Sequence, residues 1–105
     1  MRVCTVQTDT AWEDKQANMA LCRSFYEQAA GCALVVFPEL SLTGFSQEPS
    51  LCEDEGGATV AFFRELTRGS ESAVCFGCGA REGGRLFNRM YVCAHGEVVA
   101  QYDKL

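Results

Sequence analysis

The 105-residue sequence has no basic stripe. Its nine Lys and Arg are scattered against fourteen Asp and Glu, for a net charge of -5 and a pI near 4.8. Nothing in it displaces counterions from phosphates, so nucleic acid is excluded as a partner. A cationic amphipathic face is missing as well, and no apolar run approaches the roughly 20 residues that span a bilayer. No membrane partner is therefore expected. The start, MRVCTVQTDT, leaves no room for a signal peptide before an alternating strand begins. Internal repeats and low-complexity tracts are absent too. With 48% hydrophobic and 22% charged residues, disorder is excluded. What remains is at most one globular domain.

Cysteine is abundant, at seven residues. The number is odd and nothing indicates export, which predicts reduced thiols in a cytoplasmic protein, several of them filling small buried positions.

Hydrophobic periodicity then orders the chain. Arg2 to Gln7 alternates as a strand. Thr10-Ala11-Trp12-Glu13 has capping-box spacing, with Asp14 as a competing N-cap, and Ala17, Leu21, Phe25 and Ala29 predict a helix stopped by Gly31. Ala33 to Phe37 reads as a strand covered on both faces. Strand, helix, strand implies a right-handed crossover and a parallel pair. Residues 46–56 read as a polar loop. A second helix is expected over Ala58–Arg68, with Ala58, Phe62 and Leu66 on one face and Gly69 as its stop. Three β segments follow, Ala73–Ala80, Leu86–Ala94 and Glu97–Asp103, separated by Gly83-Gly84 and His95-Gly96 turns. The order describes a layered α/β domain. About five strands with two helices leave one sheet face poorly covered, as in part of a domain.

Glu39 stands out within ALVVFPELSLTGF. It lies one proline beyond a strand end, where parallel α/β sheets collect functional groups. Apolar walls there would push its pKa up toward neutrality, as a general base requires. Lys104 closes another strand and could face a developing oxyanion. Taken singly, each also reads as a solvated loop or terminal residue. Asn88 in RLFNRMYV reads as a satisfier of backbone groups at a strand start or bulge. Cys75, Cys78, Cys93 and His95 form C-x2-C-x14-C-x-H, four soft ligands that could hold zinc. Against this, a strand points positions i and i+3 to opposite faces.

FPELSLTGF resembles the first catalytic motif of the nitrilase, or carbon–nitrogen hydrolase, superfamily. FNRMYVCAHGEVVAQYDKL resembles the segment leading into that family's catalytic lysine, and VCTVQTDTAWEDKQANM its first strand and helix. The start together with TGFS leans toward the ω-amidase-like branch. The resemblance implies an α/β fold, the N-terminal portion of an αββα sandwich, with a mixed sheet and two main helices. It implies a Glu–Lys–Cys site in which Glu39 is the glutamate and Lys104 the lysine, with Phe45 lining the substrate pocket or joining the core. The nucleophilic cysteine belongs to a later motif, and none of the seven cysteines occupies its position. The implied substrate is a small-molecule amide, possibly a short ω-amide of a dicarboxylic acid, and no cofactor is required. The chain alone is then expected to be inactive, with a loosely held Lys104. Uncovered faces and sheet edges predict a homo-oligomer or a need for a partner. A non-catalytic binding or assembly module and a small zinc domain are the rival readings.

Overall fold

A computed structural model describes residues 1–104. The strands β1 (Val3–Thr5), β2 (Leu34–Val36), β3 (Ala73–Glu82), β4 (Arg85–Ala94) and β5 (Glu97–Asp103) form one mixed sheet in chain order. The first three run parallel and the last three antiparallel. Helices α1 (Lys15–Gln28) and α2 (Ala58–Thr67) complete the frame. This is the mixed-sheet, two-helix α/β fold that the sequence implies. The expected strands over Arg2–Gln7 and Ala33–Phe37 are shorter as ladders, yet their flanks still bond: Ala33 N–H to the Arg2 carbonyl, Val6 N–H to Val36, and Phe37 N–H to Cys75, each at 2.8 Å.

Both helices cover one face. Val35, Val74, Phe76 and Cys93 point to it, fully buried with Cys22 of α1 and Phe63 of α2. Phe63 stacks on Phe76 with centroids 4.1 Å apart, and Phe76 on Tyr91 at 5.2 Å. The buried faces are turned by about one residue from the expected stripes. In α1 they centre on Asn18 and Cys22 and leave Ala17 exposed; in α2 they centre on Val60 and Phe63. The cause in α1 is polar. Asn18 accepts from Ala11 N–H at 2.8 Å and donates to the Ala11 and Leu42 carbonyls, both at 2.7 Å. With Ala11 captured in this way, the helix starts at Asp14, whose carboxylate caps Ala17 N–H at 3.0 Å, and not at the Thr10 capping box.

Residues 46–56 are more ordered than a loop. Pro49–Leu51 is a 3-10 turn, and Glu53 bridges to Ala80 of β3. The Glu53 carboxylate accepts from Thr59 N–H at 2.8 Å at the start of α2 and pairs with Lys15 at 2.7 Å. It thereby ties the two helices to the sheet.

The β4–β5 turn, with His95 and Gly96 both at positive φ, is clipped to α2: Gly96 N–H donates to Thr67 Oγ1 at 3.0 Å, and Arg64 Nε to the Gly96 carbonyl at 2.9 Å. The β4–β5 ladder has one irregularity. Cys93 pairs with Val98 but Val92 with Ala100, so Val99 is an extra residue, a β-bulge.

The opposite face carries Val3, Val36, Cys75, Met90 and Tyr102, and among the described residues no helix crosses it. Tyr102 is 62% exposed.

The expectation of seven free thiols is corrected. Cys4 and Cys32 pair as a disulfide, leaving Cys22, Cys52, Cys75, Cys78 and Cys93 free. Cys4 lies on β1 opposite Val35, and Cys32, just before β2, meets it across 28 residues, a contact that spacing alone does not reveal. No helix among the described residues is long and apolar enough to cross a membrane.

Candidate active site

β2 delivers Glu39. Phe37 N–H donates to the Cys75 carbonyl of β3, Pro38 stops the ladder, and the chain turns at Leu40, whose φ is +50°. The turn is fastened to β3 at Gly77. Ser41 N–H donates to the Gly77 carbonyl at 2.9 Å, Gly77 N–H donates to Ser41 Oγ at 3.1 Å, and Ser41 Oγ donates to the Pro38 carbonyl at 2.6 Å.

Gly77 has to be a glycine here. A Cβ on it would stand 2.9 Å from Leu40 N and 2.7 Å from Met90 Sδ. Gly77→Ala is expected to push the Glu39 turn off the sheet and cost about 1–3 kcal/mol of stability. Urea unfolding checks this; an unchanged midpoint would mean that the turn does not rest on β3 as described.

β5 delivers Lys104. Arg89 of β4, only 6% exposed, grips Asp103 with two bonds, Nε to Oδ1 at 2.6 Å and Nη2 to Oδ2 at 3.0 Å. These bonds hold the Asp103 carboxyl below its ordinary pKa. One residue on, Lys104 N–H donates to the Asn88 carbonyl at 2.9 Å and continues the ladder. Lys104 is therefore not the loose residue expected of it. Its Nζ lies 3.1 Å from Glu39 Oε1 and 3.5 Å from Oε2. Asn88 Nδ2 donates to the same Oε1.

The electrostatics also correct an expectation. The Lys104 hydrogen bond lowers the Glu39 pKa; partial burial works against it and the Asn88 bond adds to it. The apolar residues next to Glu39 in sequence do not set its titration; a cation 65 residues away does. The side chains of Lys104 and Glu39 are 61% and 27% exposed, so the pair contributes little to stability. It is a charged couple open at the uncovered sheet face.

Phe45 is 67% exposed, which removes its core alternative. It is not among the walls of the cavity of about 220 Å³ beside the site, which Leu40, Cys52, Gly79, Phe87 and Asn88 help line. The zinc reading loses its geometry. Cys75 faces the open side, whereas Cys78 and Cys93 are buried on the helix side. Burial pushes the Cys78 thiol up to about 12 and Cys93 to about 11, away from the thiolate that zinc requires. No three His, Cys, Asp or Glu among the described residues could hold a metal ion together.

The model of the carbon-nitrogen hydrolase family matches residues 2–105. The chain belongs to the carbon-nitrogen hydrolase family. A solved CN-hydrolase superfamily protein from Xanthomonas campestris, carrying an arsenic adduct in its active site, is similar at 32% identity with a TM-score of 0.90. The match covers 99% of this chain and 40% of that one. A mutant of the Nesterenkonia AN1 amidase, from the nitrilase superfamily, matches at 24% identity and TM-score 0.80, over 99% of this chain and 42% of that one. An N-terminal amidase with an Asn-Glu peptide shares the fold at 16% identity and TM-score 0.85, over 97% and 27% of the two chains. The chain thus spans less than half the length of these neighbours. No curated protein matches it. The ω-amidase-like branch, finer than the family, is not distinguished by these likenesses.

Asn88 is the site residue that sequence reasoning missed. Its signal was present, a lone amide within an apolar β run, but that pattern reads equally as a backbone satisfier.

Proposed function

We propose that residues 1–105 are the N-terminal portion of a single carbon-nitrogen hydrolase domain of the amidase type, cleaving small non-peptide amides with a Glu–Lys–Cys site. What supports this is Glu39 meeting Lys104 at 3.1 Å, since the two residues matching the family motifs converge at strand ends on one face. Glu39, kept ionised, takes the proton from a cysteine thiol outside this chain. The thiolate attacks the amide carbonyl, and Lys104 stabilises the tetrahedral oxyanion. Ammonia leaves with a proton from Glu39. Water, activated by the same carboxylate, hydrolyses the thioester. Phe45 is proposed to contact substrate, and short ω-amides of dicarboxylic acids are the proposed substrates. A cytoplasmic setting rests on five free cysteines in place of seven.

The 105-residue chain alone is expected to release no ammonia from such an amide. Burial raises the thiols of Cys22, Cys75, Cys78 and Cys93, so none of these four is poised to attack. Turnover that persists across preparations and vanishes with Glu39→Gln would show that the nucleophile lies within the chain. The uncovered face, with Tyr102 and Val3 exposed, favours a second reading as an assembly module. A monomer at high concentration by light scattering would count against both that reading and a homo-oligomer.

A further inference from the structure

Asn88 contacts both halves of the charged couple at once. Its carbonyl accepts the Lys104 N–H at 2.9 Å, and its side-chain Nδ2 donates to Glu39 Oε1. One residue of β4 therefore connects the turn after β2 to the end of β5. We propose that Asn88 is a positioning residue that holds the Glu39 carboxylate in register with Lys104, a role that rests on the amidase reading above.

Chemistry fixes the amide's orientation. Turned over, it would set Oδ1 against the carboxylate, two acceptors with no proton between them. As placed, Oδ1 is buried and receives no hydrogen bond from the described residues. A buried acceptor left without a donor is unfavourable, and native structures seldom keep one without a use. Among the described residues, Asn88 thus commits its side-chain donor to Glu39, whereas a residue serving only backbone groups of the strand, as the sequence suggested, would not.

The surrounding charges make Asn88 separable from other influences. Lys104 at the end of β5 is the cation that faces Glu39. Arg89 and Asp103, next to Asn88 and Lys104 in the chain, turn to the helix side and are engaged with each other; Arg89 also reaches Glu82 at 3.2 Å. Gly77, against which the Glu39 turn rests, carries no charge. Asn88 and Lys104 are accordingly the two hydrogen-bond donors on this carboxylate among the described residues.

The test is a pH titration of the 105-residue chain by nuclear magnetic resonance, following the Glu39 side-chain carboxyl carbon and the Asn88 side-chain amide. The Asn88 amide signals should shift with the same midpoint as Glu39, below the ordinary carboxylate value. Asn88→Ala, which keeps the backbone bond to Lys104, should move the Glu39 midpoint upward. Asn88→Asp puts a second carboxylate at the same place and should raise it further, in two coupled steps. Amide signals in the unaltered chain that ignore the Glu39 titration would overturn the proposal, and that outcome requires no variant to fold. An unmoved Glu39 midpoint in a folded Asn88→Ala chain would overturn it as well. None of these readouts needs turnover. Failure of the amidase reading would appear as a complete protein that releases no ammonia while the titrations stand.

Discussion

In the proposed amidase, Glu39→Gln should lower turnover about 100- to 10,000-fold, the usual worth of a general base, and leave the fold unchanged. Gln keeps the length of the side chain and an oxygen able to accept from Lys104 and Asn88. What it lacks is a basic oxygen to receive the thiol proton. Both halves of the reaction suffer, because the same carboxylate is proposed to activate water in the second. Stability should barely move, since the ion pair is open to solvent, with Lys104 61% exposed. Ammonia release and a circular dichroism melt, measured on the same preparation, separate the two effects. Wild-type-like kcat would remove Glu39 from the mechanism, whereas a collapsed melt would make it a structural residue.

Phe63→Ala should cost about 3–5 kcal/mol, the range for emptying an aromatic site in a packed core. Phe63 has no exposed surface and sits among Phe37, Phe62 and Phe76, with centroids 5.5, 5.0 and 4.1 Å away. Phe37 is two residues before Glu39, and Phe76 lies beside Gly77, so the cavity would open directly beneath the proposed site. Typical domains are stable by only about 5–15 kcal/mol, so the variant should be near unfolding at room temperature. Urea denaturation followed by tyrosine and tryptophan fluorescence measures it. A loss below about 1 kcal/mol would mean that the helix layer does not hold the sheet in the way described.

The parts of the fold legible in the sequence are those written in alternation and turns. Glu97–Asp103 matches β5 residue for residue, and the glycine turns on either side of β4 fall where Gly84 and Gly96 take positive φ. The helix faces were legible only to within one residue, because Asn18, Thr59 and Thr67 are fully buried and a hydrophobic stripe does not reveal them. The Cys4–Cys32 pair was hidden because the fold, not spacing, brings the connection before β2 against β1. At the candidate site, Glu39 and Lys104 stood out at strand ends, and the family resemblance supplied the roles proposed for them. The sign of the Glu39 pKa shift was misread because its cause lies 65 residues away in the chain.

The bulge at Val99 acts on the site as a parity setting. Side chains of a strand alternate between faces, so one residue more or less exchanges every later position. Had the same hairpin zipped without it, Val92 would meet Val99, Asn88 would meet Asp103, and Lys104 would fall opposite Phe87. The ammonium would then turn toward the helices, and a carboxylate would arrive beside Glu39. Two like charges would occupy the place where the chain now sets an opposite pair. Which sign of charge reaches Glu39 is therefore decided eleven to twelve residues before Lys104 on the partner strand, where Val92 and Cys93 accommodate one extra residue between Val98 and Ala100.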